Sequence, residues 1–174
     1  MSKLKLIHAS CADQKVDVVV NAANNRLLAG GGICGVIFKK AGMRELTQAC
    51  SEYHIPLNDG DAVITPSFSM TNTMAIIHAV GPNFGIKPTA FNELFNAYYN
   101  SLMVLKENGY HSIAFPLISS GIFGGSLENP VGVSTRQCFR AYEEFVKTYP
   151  DYEVDVRLCA FTEAEMEKAK EEME

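Results

Sequence analysis

Two stretches of this chain join a strand-like apolar run to glycines and short polar residues in a pattern suited to holding phosphate. The first is Val20-Asn21-Ala22-Ala23-Asn24, followed by Gly30-Gly31-Gly32-Ile33-Cys34-Gly35 at the start of a helix-like segment. A strand there delivers two asparagines to its C-terminal end, where open α/β sheets take their ligands. The glycines bring backbone close to a ligand with no Cβ in between. The helix start offers unsatisfied N–H groups and a positive dipole end. Formally the glycines fit G-x-G-x-x-G, but a Rossmann unit places that pattern directly after its first strand, and here nine residues separate Val20 from Gly30. The asparagines also suit a plainer role, satisfying the backbone of a turn.

The second stretch is Phe115-Pro116-Leu117-Ile118-Ser119-Ser120-Gly121-Ile122-Phe123-Gly124. Again a strand runs into small residues and glycine ahead of a helix. A flexible connection is the plainer reading of a Ser/Gly stretch. Two such loops in one small chain fit a ligand with two linked phosphates.

Other side chains carry less. His8, His54, His78 and His111 are scattered singly, and each reads as a structural histidine. Cys34 stands at a helix start where the dipole favours thiolate, but no base adjoins it in sequence, so a small buried residue is the preferred reading. Cys11, Cys34, Cys50, Cys138 and Cys159 are odd in number and form no C-x-x-C pair. That spacing speaks against a disulfide framework and against a metal site, and it suits a reducing cytoplasm.

The elements that must position the loops follow from periodicity. Strands are predicted at Leu4–His8, Val16–Val20 (buried on both faces), Ala62–Thr65, Met74–Val80, Ile113–Leu117 and Val154–Phe161. Helices are predicted from the glycine triplet to about Lys40 and from Met43 to Tyr53. Another carries Phe91, Leu94, Phe95, Tyr98, Leu102 and Leu105 on one stripe, closed by Gly109. Asn129-Pro130 reads as the N-cap and first residue of a helix whose stripe is Phe139, Tyr142, Phe145 and Val146. Thr162 and Glu165 have the spacing of a capping box. The acidic tail, Glu163 to Glu174, reads as a solvated helix face. This alternation predicts an α/β layered fold, with residues 1–174 as one domain.

Bulk properties agree. A hydrophobic share of 47% with 20% charged residues is that of a globular chain. A net charge of −5 argues against a free polynucleotide partner, while leaving room for a small anion held by backbone N–H groups. The N-terminus lacks the apolar stretch of a signal peptide, and no window is long enough to span a membrane. A cytoplasmic, monomeric protein is expected.

V-N-A-A-N with a glycine triplet, then P-L-I-S-S-G-I-F-G about ninety residues later, resembles the macrodomain family. Val80-Gly81-Pro82 after Ile76-Ile77-His78 fits that family's internal pattern as well. The resemblance runs from about Leu6 to Phe161. It implies a three-layer α/β fold, a mixed central sheet flanked by helices, with ADP-ribose in a surface cleft. By matching positions, Asn24 would bind the distal ribose, and Gly31, Gly32 and Ile33 would line that ribose and the adjacent phosphate. Ser119, Ser120, Gly121, Ile122 and Phe123 would wrap the diphosphate, and Phe161 would stack on adenine. Ser10, Cys11, Ala22, Cys34 and Gly124 complete the expected binding set.

Two departures from the family stand out. Many members carry an Asp that accepts the adenine amino group where this chain has Ser10, and a hydroxyl accepts without charge assistance. In MacroD-type hydrolases an Asp implicated in catalysis stands two residues after the glycine triplet, the place of Cys34; viral-type relatives lack it too. The resemblance implies hydrolysis at the distal ribose of an ADP-ribosyl adduct, either an ester on a modified protein or O-acetyl-ADP-ribose. Asn24 would orient ribose and water, and a phosphate oxygen of the substrate would act as base. No metal and no cofactor is expected. The competing expectations are a non-catalytic ADP-ribose reader and a phosphatase acting on terminally phosphorylated ADP-ribose.

Overall fold

The computed structural model describes residues 1–173, and in it the apolar runs and amphipathic stretches become six strands and five α-helices. The strands are β1 (Lys3–His8), β2 (Val18–Ala23), β3 (Ala62–Pro66), β4 (Ala75–Val80), β5 (Ser112–Pro116) and β6 (Asp155–Ala160). The helices are α1 (Gly32–Ala41), α2 (Met43–Ser51), α3 (Phe91–Glu107), α4 (Pro130–Thr148) and α5 (Glu163–Met173). Glu174, the last residue of the acidic tail, lies outside the described residues.

All six strands share one sheet in the order β1-β6-β5-β2-β4-β3. Every adjacent pair is parallel except β3 with β4, so the central sheet is mixed, as expected. Strand alternation divides the core in two. Val18, Val20, Ile77, Ile113 and Phe115 pack under α3, α4 and α5, with Leu94, Tyr98, Leu102 and Phe145 among the helical partners. Val19, Ile76, Val80 and Ala114 face the other way, against Ile37, Phe38, Leu46 and Cys50 of α1 and α2. The result is the three-layer α/β arrangement, with β2 buried on both faces because helices cover both.

Most element ends differ from the sequence reading by one or two residues, and the differences at β2 and on α4 bear on the site and the core. Strand β2 begins at Val18, because Asp17 turns its carboxylate to the N–H groups of His111 (2.9 Å) and Ser112 (3.3 Å) and so ties the starts of β2 and β5 together. It then runs on through Ala23, paired with β4. Asn21 is therefore inside the strand and fully buried, and of the two asparagines only Asn24 reaches its end. On α4 the buried residues include Val131, Ser134, Thr135, Cys138, Ala141 and Phe145, and Phe139, Tyr142 and Val146 flank them half-buried.

Both helix caps have the expected geometry. Asn129 Oδ1 accepts from the N–H of Gly132 at 3.0 Å. Thr162 Oγ1 accepts from the N–H of Glu165 at 3.1 Å, while Glu165 Oε1 accepts from that of Thr162 at 3.0 Å. Among the described residues no helix is long and apolar enough to cross a membrane.

Candidate functional site

Strands β2 and β5 stay paired only through Val18–Ile113 and Val19–Ala114. Beyond that point β2 follows β4 and β5 follows β6, so the C-terminal ends of the two central strands part. Such a crevice at the carboxyl edge of a parallel sheet is where α/β folds place ligands. Here it opens into a cleft of about 690 Å³, within the usual range for small-molecule sites. Its walls are the two glycine loops, Gly30–Cys34 on one side and Ser119–Phe123 on the other.

In the first loop the side chain of Asn24 folds over its own backbone. Oδ1 accepts from the N–H groups of Arg26 (3.1 Å) and Leu28 (3.0 Å), and Nδ2 donates to the carbonyl of Leu28 (2.8 Å). The asparagine thus holds the turn that carries the chain to Gly30, the structural role foreseen as an alternative, while also standing on the cleft wall. Gly32 has φ +58°, a left-handed conformation that glycine adopts freely and that directs the chain into α1. A Cβ built on Gly30 or Gly31 would meet nothing within 4 Å, whereas one on Gly35 would sit 2.5 Å from the Gly30 carbonyl. The first two glycines therefore leave space for something outside the chain, and Gly35 lets helix and loop pack together.

The second loop is held from beneath. Tyr98, fully buried on α3, accepts from the N–H of Ile118 at 3.0 Å, and Ser134 on α4 donates to the Ile118 carbonyl at 2.6 Å. Ser119 adopts φ +60° and donates its hydroxyl to the Pro82 carbonyl (2.7 Å), while Ser120 donates to that of Leu117 (2.7 Å). Both hydroxyls are committed to the backbone, so this loop presents its main chain to the cleft. The N–H groups of Gly121, Ile122 and Phe123 have no partner among the described residues. A Cβ on Gly121 would meet nothing within 4 Å.

Ser10, Cys11, Ala22, Asn24, Gly31, Gly32, Ile33, Cys34, Ser119, Ser120, Gly121, Ile122, Phe123 and Phe161 all line this one cleft. Gly124 does not. It is buried behind the wall, where a Cβ would come within 2.8 Å of Pro130, so its lack of a side chain serves packing. Phe161 is 70% exposed rather than in the core, its ring free at the end of β6. Ile122, 94% exposed, projects from the opposite rim.

The walls hold hardly any charge. Among the described residues no lysine, arginine or histidine lines the cleft, and Glu165 is the only acid. Cys11, Cys34 and Cys159 also line it, and burial pushes all three thiols above the ordinary range, Cys159 to about 12. At Cys34 the burial outweighs the hydrogen bonds that would favour thiolate, so this residue stays a neutral, 6% exposed thiol at the start of α1. His78 is fully buried between Asn21 and Thr65 and lies off the cleft. Among the described residues no group of His, Cys, Asp and Glu is placed to hold a metal ion.

Sequence reasoning missed Glu165 and Gly81 as parts of the site. Glu165 read only as a capping residue, yet it stands one helical turn from Phe161, which brings it to the same wall. Gly81 ends β4, and a Cβ there would strike Ser119 Oγ at 2.3 Å, so only glycine lets the second loop lie against that strand end.

The chain is similar to known proteins in sequence and in fold. An uncharacterized protein of Fusobacterium nucleatum is 47% identical over 110 residues, covering 63% of this chain and 61% of its own length. The chain thus spans under two thirds of that relative. The O-acetyl-ADP-ribose deacetylase of Escherichia fergusonii is 40% identical over 129 residues, 71% of either chain. Among solved structures, the Oceanobacillus iheyensis macrodomain with ADP superposes with a TM-score of 0.88 at 30% identity, over 99% of this chain and 90% of that one. The family model described as Macro domain matches residues 20–133, from the end of the β2 valine run through the second loop into α4. This chain belongs to the macrodomain family.

Proposed function

We propose that this macrodomain binds ADP-ribose across its two glycine loops and hydrolyses ADP-ribosyl adducts at the distal ribose. O-acetyl-ADP-ribose and mono-ADP-ribosyl esters on proteins are the substrates. The observation that carries the reading is one cleft with no basic side chain among the described residues, flanked by two loops, each with glycines open to it and the second with unpaired N–H groups. Oriented backbone dipoles of this kind hold a diphosphate without basic side chains. The deacetylase name of the Escherichia fergusonii relative and the ADP bound to the Oceanobacillus iheyensis structure support the same assignment.

In this reading the base stacks on Phe161 and the distal ribose lies by Asn24. The strands β6 and β2 that carry these ends are two strand spacings apart, roughly 10 Å. An amide is no general base, and the thiols beside Asn24 are neutral. The proton from the attacking water therefore goes to a phosphate oxygen of the substrate, held against that water by the loops, a proximity effect. Loop N–H groups meet the negative charge that develops. A neutral thiol at position 34 instead of a carboxylate favours a second reading, a non-catalytic reader of ADP-ribosylated proteins.

The test is direct. Calorimetry should show a 1:1 complex with ADP-ribose, tighter than with AMP or NAD. Incubation with O-acetyl-ADP-ribose, and with a protein auto-ADP-ribosylated on acidic residues, should release ADP-ribose. Binding without release leaves the reader, and equal affinity for ADP-ribose and AMP removes the two-loop assignment.

A further inference from the structure

The one charged side chain on the cleft wall among the described residues stands at a particular end of it. Glu165 lies in the first turn of α5, just past the exposed ring of Phe161. Its Oε1 accepts from the backbone N–H groups of both Phe161 and Thr162, each at 3.0 Å. Those two bonds pin the carboxylate at the foot of the aromatic ring, so it is not a mobile surface acid. The other oxygen, Oε2, accepts no hydrogen bond among the described residues, although the side chain is half-buried and faces the cleft. Ser10 comes to the same corner, because β1 and β6 are neighbours and the Ala9 N–H bonds the Ala160 carbonyl at 3.0 Å. Its hydroxyl likewise has no partner in the described chain.

A fixed anion beside an open aromatic face is a reader of what stacks there. A carboxylate only accepts hydrogen bonds, so it favours a base whose edge donates and disfavours one that turns a carbonyl oxygen toward it. We infer that Glu165 sets base specificity in this cleft, selecting an amino-bearing purine through its free oxygen with the Ser10 hydroxyl as a second acceptor. This inference rests on the ADP-ribose reading above and adds to it the residue that discriminates the nucleobase. It also gives the capping box of α5 a second use. The bonds that start the helix are the bonds that hold the carboxylate still.

The experiment compares ADP-ribose with IDP-ribose, in which hypoxanthine turns a carbonyl oxygen where adenine turns its amine. Calorimetry is run on the wild type, Glu165→Gln and Thr162→Ala, with circular dichroism to follow folding. Glutamine keeps the capping geometry but removes the charge. Thr162→Ala weakens the cap and leaves the carboxylate on its two N–H donors. The wild type should prefer ADP-ribose by about tenfold, the scale of one charge-assisted hydrogen bond. Glu165→Gln should narrow that preference to within about threefold, mainly by weakening ADP-ribose, because an amide both donates and accepts. Thr162→Ala should lower the melting temperature and keep the preference. Equal binding of the two ligands by the wild type overturns the inference, and so does an unchanged preference in Glu165→Gln. A preference lost equally in Thr162→Ala does the same, since it would trace the effect to the helix start and not to the charge. If ADP-ribose itself does not bind, the proposed function fails, and this inference with it.

Discussion

The side-chain amide of Asn21 stands 3.0 Å from Nδ1 of His78, both fully buried on adjacent strands of the sheet. On its other side the His78 ring meets Thr65 Oγ1 at 2.9 Å. Neither contact supplies a negative charge, and burial pushes the imidazole down from its ordinary 6.5 to about 4. The neutral ring is what the fold stabilises. Between pH 4 and pH 6.5 the unfolded chain binds a proton at this site that the folded chain does not. Stability from this group is therefore complete above about pH 6.5 and declines as the pH falls toward 4, by on the order of 3 kcal/mol in all. Denaturant titrations from pH 7.5 to 4 should show this slope, and a His78→Gln variant that folds should show a shallower one over the same window.

At the cleft, Gly121→Val should abolish or sharply weaken ADP-ribose binding while leaving the fold intact. A Cβ there meets no atom of the protein within 4 Å, and the added side chain enters the space assigned to the diphosphate. Gly35→Val should behave in the opposite way and lower thermal stability, because its Cβ would press on the Gly30 carbonyl. Calorimetry and a melting curve on each variant separate the two effects.

Asn24→Ala should cut turnover on O-acetyl-ADP-ribose more than it cuts affinity. In the proposed mechanism the amide orients ribose and water, and that matters most in the transition state, at a cost of about 2–4 kcal/mol of barrier. Because Asn24 also holds the Leu28 turn, the variant should lose about 1 kcal/mol of stability as well. Cys34→Ala, which removes a neutral thiol, should leave turnover nearly unchanged. Activity abolished by Cys34→Ala but indifferent to Asn24→Ala would point to a thiol nucleophile and away from substrate assistance.

Ser10→Asp places a carboxylate near the corner already occupied by Glu165. In the Glu165→Gln background it should tighten ADP-ribose binding by roughly 0.5–1.5 kcal/mol, the gain from a charged acceptor. In the wild type the gain should be smaller, since two carboxylates at one base edge repel each other. Equal gains in both backgrounds would show that the two positions do not meet the same group.

Much of this was legible in the residues. Glycine runs after strands mark a place where backbone meets ligand, and both runs stand on one cleft. Local chemistry was readable too, as Asn129-Pro130 and Thr162 with Glu165 form the caps that their spacing implies. The extent of β2 was not readable. Val16 looks as strand-like as Val18, and only the Asp17 bonds to a strand distant in sequence set the start. Nor was the far end of β2, so the sequence reading places Asn21 with Asn24 at the strand's C-terminal end. Its burial depends on His78, 57 residues away, being on the next strand with a ring nitrogen to offer. Glu165 was recognised for what it does to its neighbours in sequence, and its second face appears only when β1 and β6 come together.

A cleft that no basic side chain lines among the described residues has a consequence for ionic strength. Proteins that hold phosphate with lysine and arginine lose affinity as salt rises, because mobile ions compete at each contact. In the proposed binding mode the anion is met by fixed peptide dipoles, on a chain of net charge −5 with a carboxylate at one end of the site. The long-range field repels a doubly charged ligand, and salt screens that repulsion over about 10 Å at 0.1 M. ADP-ribose affinity should therefore hold steady or rise modestly as sodium chloride is raised from low to physiological concentration, with the change carried by the association rate. A steep fall in affinity over that range would mean that a cation from elsewhere in the chain reaches the phosphates.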